Sequence, residues 1–206
     1  VSRGYCAQPA PVREVPRVKM VLDSSPSQRG KEYKKVDYGA VKKSALAADF
    51  DLAIQWLIDA GLSYKVQRVN GPSVPFKFYE DLNAFKLFML DVGLMGAMAE
   101  TSAESMLVGD NVFSEYKGAF TELFVFTQLK SRHFSLYYHA VESSTIEIDF
   151  LTQWHDRVIP IEVKAEVNVK AKSLHTFINN NPELQGLRFS MLPYKKQDWV
   201  INVPLY

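Results

Sequence analysis

The sequence IEIDFLTQWHDRVIPIEVKA, residues 146–165, predicts two β-strands joined by a tight turn. Runs rich in Ile, Val, Phe and Leu flank a polar turn at His155 and Asp156, as expected for a hairpin. With the turn centred between these two residues, paired residue numbers sum to 311. Asp149 is then predicted to lie opposite Glu162.

Side-chain alternation predicts the two faces of this hairpin, since successive residues of a strand point to opposite sides. One face of the first strand is expected to hold Glu147, Asp149 and Leu151, and the other Ile146, Ile148 and Phe150. Glu147 is expected opposite Lys164 on the second strand.

Two carboxylates directly across a strand pair repel each other. Two unit charges about 5 Å apart raise the energy by on the order of 3 kcal/mol at an effective dielectric constant near 20. A divalent cation such as Mg²⁺ or Mn²⁺ would remove this repulsion, because hard cations bind carboxylate oxygens and retain water for chemistry. The alternative is an ordinary solvated face on which Glu147 and Lys164 form a cross-strand ion pair.

Asp149 followed by Glu162-x-Lys164 on the next strand resembles the PD-(D/E)xK nuclease superfamily, although Ile148 replaces the proline of the motif. The resemblance implies that Asp149 and Glu162 hold the metal and that Lys164 orients water or stabilises charge on the phosphate. It also implies a further metal ligand on the preceding helix. Glu122, in the string G-A-F-T-E, matches that position, and Glu115 is a weaker candidate.

The composition describes a folded domain with one cysteine. The chain has 206 residues, of which 47% are hydrophobic, and its single cysteine, Cys6, excludes an internal disulfide and a cysteine-based zinc cluster. A reducing, cytoplasmic setting is therefore expected, with no membrane span and no secretory signal. The first residue is Val1 rather than methionine, which suggests a piece of a longer protein.

The charge is uneven along the chain. Residues 1–43 contain ten Lys or Arg and four Asp or Glu, which gives +6, whereas the remainder sums to −5. The basic segment is compatible with a phosphate-facing surface or with a solvated face.

The first half predicts a linker and a winged-helix-like segment. Residues 1–36, rich in proline and small residues apart from a short helix near 13–22, are interpreted as a linker, and 37–100 as the winged-helix-like part. Its predicted elements are helices over 38–44 and 52–60, the second ended by Gly61, then strands over 62–69, 76–79 and 85–90. Asp91 is expected to cap the next turn.

Residues 101–206 predict a nuclease-like domain of the α/β class (α+β for the whole chain). The order from 113 to 193 is αβββαβ, a restriction-endonuclease-like mixed sheet covered by helices. Its predicted elements are helices over 102–111, 114–130 and 169–180, and strands over 136–141, 187–192 and 199–206, besides the hairpin. Lys170 and Lys172 in the first turn of the last helix are predicted to bind nucleic-acid phosphate.

Five strings in order resemble a domain of unknown function that follows the ATPase core in bacterial and archaeal AAA-type ATPases. They are D-S-S-P-S-Q at 23–28, Q-W-L-I-D-A-G-L at 55–62, F-K-L-F-M-L-D-V-G-L at 85–94, G-A-F-T-E at 118–122 and I-E-V-K-A at 161–165. The resemblance implies an ATPase module upstream of residue 1. No GxxxxGK[ST] motif occurs in this chain, so ATP would bind only through that absent module.

Three functions are compatible with these patterns. The first is a metal-dependent nuclease acting on nucleic acid. The second is a binding or regulatory module with the same fold and no catalytic activity, which tethers the ATPase to nucleic acid or to a protein partner. The third is a structural role in assembly of the ATPase ring, and a homo-oligomer is left open.

Overall fold

A mixed β-sheet of nine strands forms the centre of the described part of the protein. The computed structural model describes residues 12–28, 33–34, 48–100, 114–141, 146–165 and 170–206. The strands are β1 (Tyr33–Lys34), β2 (Ser63–Val69), β3 (Glu80–Met89), β4 (Tyr137–Ala140), β5 (Glu147–Trp154), β6 (Arg157–Val163), β7 (Gly186–Ser190), β8 (Lys195–Lys196) and β9 (Val200–Pro204). Their spatial order is β1-β3-β2-β4-β5-β6-β7-β9-β8. The predicted α/β class is confirmed.

Helices cover the sheet. They are α1 (Val15–Gln28), α2 (Ala48–Asp59), α3 (Val92–Met98), α4 (Ser114–Ser131) and α5 (Lys172–Asn180). Helix α2 ends as predicted before Gly61, which has a φ of +73° that favours glycine. Helix α3 begins at the predicted cap, since Asp91 Oδ1 accepts a hydrogen bond of 2.8 Å from the N–H of Leu94. No described helix has the length and apolar character needed to cross a membrane.

The prediction of a strand over 76–79 was wrong. These residues form a 3₁₀ helix, and the partner of β2 is the later strand β3, with Val69 paired to Glu80. In a strand, Phe76 and Phe78 would share a face. Here Phe76 is buried and Phe78 is 83% exposed, which a helical turn allows.

The hairpin of β2 and β3 belongs to the common sheet and is not a separate wing. Strand β2 pairs in parallel with β4 through Arg68 and Tyr138. Val66 and Phe88 also lie in one buried cluster with Phe126 of α4. This core joins both predicted segments, and the winged-helix-like interpretation of 37–100 and the boundary near residue 100 stay predictions.

The order αβββαβ is confirmed in the second half by α4, β4, β5, β6, α5 and β7. The predicted register of the β5–β6 hairpin is confirmed as well, because the pairs from Phe150–Ile161 to Trp154–Arg157 all sum to 311. Arg188 of β7 pairs with Glu162, and Asn202 of β9 pairs with Arg188, so the three residues lie in one row across the sheet.

A β-bulge in β5 breaks the predicted alternation. Tyr137 pairs with Leu151 but His139 pairs with Ile148, so two residues of β5, Asp149 and Phe150, lie opposite a single residue of β4. Side chains on the two sides of the bulge are consequently out of phase.

The consequence is that the predicted faces of β5 were partly wrong. Phe150 packs on Phe126 of α4, with ring centroids 6.0 Å apart. Ile148 and Leu151 pack together against α5, in a cluster that contains Leu174. Leu151 therefore does not share the face of Glu147, and Phe150 does not share that of Ile148.

Two predicted helices, over 38–44 and 102–111, lie outside the described residues, as do residues 1–11, 29–32 and 35–36 of the predicted linker. Helix α1 extends further than the predicted short helix near 13–22.

Candidate active site

Asp149 lies where strands β5 and β6 separate. The last pair of the ladder is Phe150–Ile161, so Asp149 and Glu162 follow one step beyond regular pairing. Asp149 Oδ2 accepts a hydrogen bond of 2.7 Å from the N–H of Val163. In a regular strand pair, a backbone carbonyl group of β5 would accept from this N–H. Burial raises the pKa of Asp149, and the ammonium groups of Lys86 and Lys164 act against that rise.

Glu162 is buried and only half satisfied. Its side chain is 6% exposed, and Oε1 lies 2.5 Å from Nζ of Lys164. Oε2 is buried and has no hydrogen-bond partner within the described structure. Burial, and next the negative charge of Asp149, raise the pKa of Glu162 to about 7. An unsatisfied buried carboxylate oxygen is costly, and a ligand at this point would satisfy it.

Glu122 reaches the same region from helix α4. Its Oε1 lies 3.1 Å from Nζ of Lys86, and its side chain is 15% exposed. Burial raises the pKa of Glu122 to about 7 although the charge of Lys86 lowers it, and Asp149 raises it further. The charge of Asp149 therefore acts on Glu122, and the predicted convergence of the two as metal ligands stays a prediction. The side chain of Glu115 lies outside the described residues.

Lys86 is the functional residue that the sequence patterns missed. It lies on β3, is 2% exposed, and places Nζ 2.6 Å from Oε1 of Glu147. Its Nζ also lies 5.2 Å from the ring centroid of Tyr138. Burial alone would lower the pKa of Lys86, but the surrounding carboxylates, Glu122 first, raise it above the ordinary value. Glu147 is thus paired with Lys86, and not with Lys164 as in the alternative of a cross-strand ion pair.

The site consists of two ion-pair groups joined by Asp149. Lys86 binds Glu122 and Glu147, while Lys164 binds Glu162. The charge of Asp149 acts on both lysines. Four carboxylates therefore surround two ammonium groups, which leaves a formal charge of −2.

The predicted metal ligands are not grouped as a metal site. In the described part of the chain, no three His, Cys, Asp or Glu side chains are grouped closely enough to hold a metal ion as they stand. Of the predicted ligands, Glu122 lies against Lys86 and Glu162 against Lys164. The metal assignment stays a prediction.

A buried polar row continues from Glu162 across the sheet. Arg188 pairs with Glu162 in register, and its Nε donates a hydrogen bond of 3.1 Å to Oδ1 of Asn202. Ser190 Oγ donates to the same oxygen at 2.7 Å, and Nδ2 of Asn202 donates to the carbonyl groups of Leu192 and Pro193. Burial lowers the pKa of Arg188, and the charge of Glu162 opposes this. Asn202 therefore fixes the position of Arg188, the residue of β7 that pairs with Glu162.

Lys170 and Lys172, predicted to bind phosphate, lie exposed at the start of α5. They are not buried among the carboxylates, so they remain available to an external anion.

The chemistry of the donors fits a hard divalent cation at Asp149 and Glu162. Both groups supply carboxylate oxygens, the ligands that Mg²⁺ and Mn²⁺ prefer. The unsatisfied Oε2 of Glu162 and the surplus negative charge support this fit. Glu122 would join them only if its contact with Lys86 were given up.

Fold and site define a mixed α/β protein with a partly buried cluster of carboxylates and lysines. Two family models match the chain, each described as a domain of unknown function. One (DUF8612) matches residues 6–105 and the other (DUF4143) residues 117–206. The site draws Lys86 from the first match and its other residues from the second.

A solved structure, that of protein VC1899 from Vibrio cholerae, is similar to this chain at 10% sequence identity and a TM-score of 0.25. The match covers 86% of this chain and 42% of that protein. No curated protein matches the chain.

Proposed function

We propose that this chain carries a nuclease-like site that binds nucleic acid and cleaves phosphodiester bonds with a divalent metal. Asp149 and Glu162 would hold Mg²⁺ or Mn²⁺, with Glu122 as a third carboxylate at the edge of the site. When bound, the metal would supply Lewis-acid stabilisation of charge on the phosphate and lower the pKa of water.

The residues of the chain have separate roles in this proposal. Lys164, held against Glu162, is placed to orient water and to stabilise negative charge that develops on the phosphate. Asp149 is fixed by the N–H of Val163, so its second oxygen has a defined direction. Lys172, the first residue of α5, and Lys170, two residues before it, are both exposed and would bind phosphates that flank the cleaved bond.

One observation carries the proposal. Within the described structure, Oε2 of Glu162 is a buried carboxylate oxygen without a hydrogen-bond partner, next to a second, half-buried carboxylate, Asp149. Burying such a pair is unfavourable unless a cation or a proton joins it. A purely structural site would gain stability by losing one of the two acids.

Cleavage of end-labelled single-stranded DNA, double-stranded DNA and RNA tests the proposal. Cleavage is expected with Mg²⁺ or Mn²⁺ and not with a chelator. It should be lost in Asp149→Asn, which keeps an oxygen for the N–H of Val163, and in Lys164→Met. The matched controls are Asp156→Asn at the turn of the same hairpin and Lys195→Met on the exposed strand β8, and both should cleave as wild type does.

A second function is favoured by Lys86. Its ammonium group already neutralises part of the carboxylate cluster, which is the arrangement expected of a descendant that has exchanged a metal for a lysine. Such a domain would be a catalytically inactive module that binds nucleic acid or a protein partner. Salt-sensitive binding of nucleic acid by wild type, without cleavage under any metal, would favour this alternative.

The wider context is also a proposal. By its resemblance to the region that follows the ATPase core, the chain would act as part of an AAA-type ATPase family protein. ATP would then bind to the upstream module, and this chain would contact the nucleic acid.

A further inference from the structure

A cavity of about 650 Å³ opens beside the tip of the β5–β6 hairpin. It is built from the 3₁₀ helix of Phe76–Tyr79, the segment that follows α4, and the hairpin itself. Gln153, in its lining, is four residues from Asp149 along β5, a distance of about 13 Å. It is therefore separate from the carboxylate cluster.

The walls of the cavity are aromatic. Phe76, Phe78, Phe134 and Tyr137 contribute to its lining. Phe76 and Tyr137 pack together, with ring centroids 4.9 Å apart, whereas Phe78 is 83% exposed. A large aromatic side chain left this open on a helical turn offers a free ring face to a planar ligand.

The polar groups of the cavity are basic or neutral. Lys77, His133 and His155 line it, and no Asp or Glu is among the described residues of its wall. Both histidines have positive backbone φ values, 65° for His133 and 52° for His155, a conformation that residues other than glycine seldom adopt. Two imidazole groups and a lysine therefore line the same cavity.

A second cavity has a lining of mixed charge. It is similar in volume, about 570 Å³, and Asp156, Arg157 and Glu183 contribute to its wall. The first cavity differs from it in having no carboxylate among the described residues of its lining.

We propose that the cavity lined by Phe78 and Lys77 binds a segment of single-stranded nucleic acid, with a base stacked on the aromatic side chains and a phosphate at Lys77. Aromatic faces together with cationic groups are how proteins hold single strands, because every base has a face that can stack. A duplex keeps its bases stacked on each other and does not offer one to such a cavity. The inference deepens the proposed function and rests on it, since it names single strands as the substrate class.

Binding can be measured without cleavage. A fluorescent oligothymidylate of about ten nucleotides is titrated with wild-type protein in a chelator, and its anisotropy gives the Kd. Phe78→Ala and Lys77→Met are each expected to weaken binding at least about fivefold. Both side chains are exposed, so neither change removes core packing.

Matched controls separate the cavity from the general surface. Leu82→Ala removes an apolar side chain that is 71% exposed outside the cavity, and Lys195→Met removes an exposed lysine. Both should bind as wild type does. Trp154 supplies a second readout, since its ring lies 5.1 Å from that of His155 and 5.5 Å from that of Phe134. Its fluorescence should change on binding, and the change should be absent in Trp154→Phe.

Several outcomes would overturn the inference. They are equal binding by Phe78→Ala and wild type, equal binding of duplex and single strand, and binding of adenosine monophosphate as tight as that of the oligonucleotide. Cleavage that is unaffected by Phe78→Ala would leave the proposed nuclease intact and remove only the cavity. Binding that depends on Phe78, with no cleavage under any metal, would support the cavity as a binding site and contradict the proposed nuclease.

Discussion

Nζ of Lys86 lies 2.6 Å from Oε1 of Glu147, and this contact joins two parts of the chain that match different family models. Lys86 comes from β3 and Glu147 from β5, two strands that are separated in the sheet by β2 and β4. The carboxylate cluster is consequently complete only when both halves of the sheet are assembled.

Replacing Lys86 by methionine is expected to destabilise the protein by about 3–5 kcal/mol, because Glu122 and Glu147 lose the cation that compensates them. Urea unfolding followed by circular dichroism measures the change. Lys195→Met is the control, since that side chain is exposed, and it should change the free energy of unfolding by less than about 0.5 kcal/mol. A loss below about 1 kcal/mol for Lys86→Met would show that Glu122 and Glu147 do not depend on it.

The β5–β6 hairpin could be predicted because the residues that determine its pairing are close together in the sequence. Two apolar runs and a short polar turn determine the register that pairs Phe150 with Ile161. The capping role of Asp91 is local in the same sense. Both depend on residues close together in the sequence.

The bulge and Lys86 could not be predicted from local patterns. The bulge at Asp149 and Phe150 depends on how β5 meets β4, which the spacing within β5 does not encode. Lys86 finds its partners 36 and 61 residues further along the chain. One signal was present, a single charged residue inside the apolar run A-F-K-L-F-M-L at 84–90. A lysine in such a run needs a buried carboxylate, and the search for one leads to the site.

Replacing Glu162 by glutamine should alter how stability depends on pH. Burial raises the pKa of Glu162 to about 7 in the folded protein, from an ordinary value of 4.5. Between these values the folded protein binds more protons than the unfolded one, so this group makes stability fall as pH rises from about 4.5 to 7. Glutamine removes that fall and should stabilise the protein at pH 8 by on the order of 1–3 kcal/mol.

Thermal unfolding from pH 4.5 to 8 tests this. Glu183→Gln, at an exposed position, provides the baseline. If Glu162→Gln and Glu183→Gln had the same pH dependence, the carboxylate of Glu162 would not carry the raised pKa.

Asn202→Ala is expected to destabilise the protein by about 2–4 kcal/mol, because Arg188 and Ser190 both lose a buried acceptor. The carbonyl groups of Leu192 and Pro193 lose a donor in the same substitution. Guanidinium chloride unfolding gives the value, and Asn179→Ala on the exposed side of α5 is the comparison. Equal stability of the two variants would contradict the role given to Asn202.

Binding of Mn²⁺ at pH 8, followed by electron paramagnetic resonance of the free ion, tests directly whether Asp149 and Glu162 hold a divalent cation. Wild type and Asp156→Asn are expected to bind the ion alike. Asp149→Asn and Glu162→Gln should bind it at least about tenfold more weakly, since each removes one charged ligand. Failure of folded wild type to bind Mn²⁺, or binding by both ligand variants as tight as by wild type, would contradict the claim.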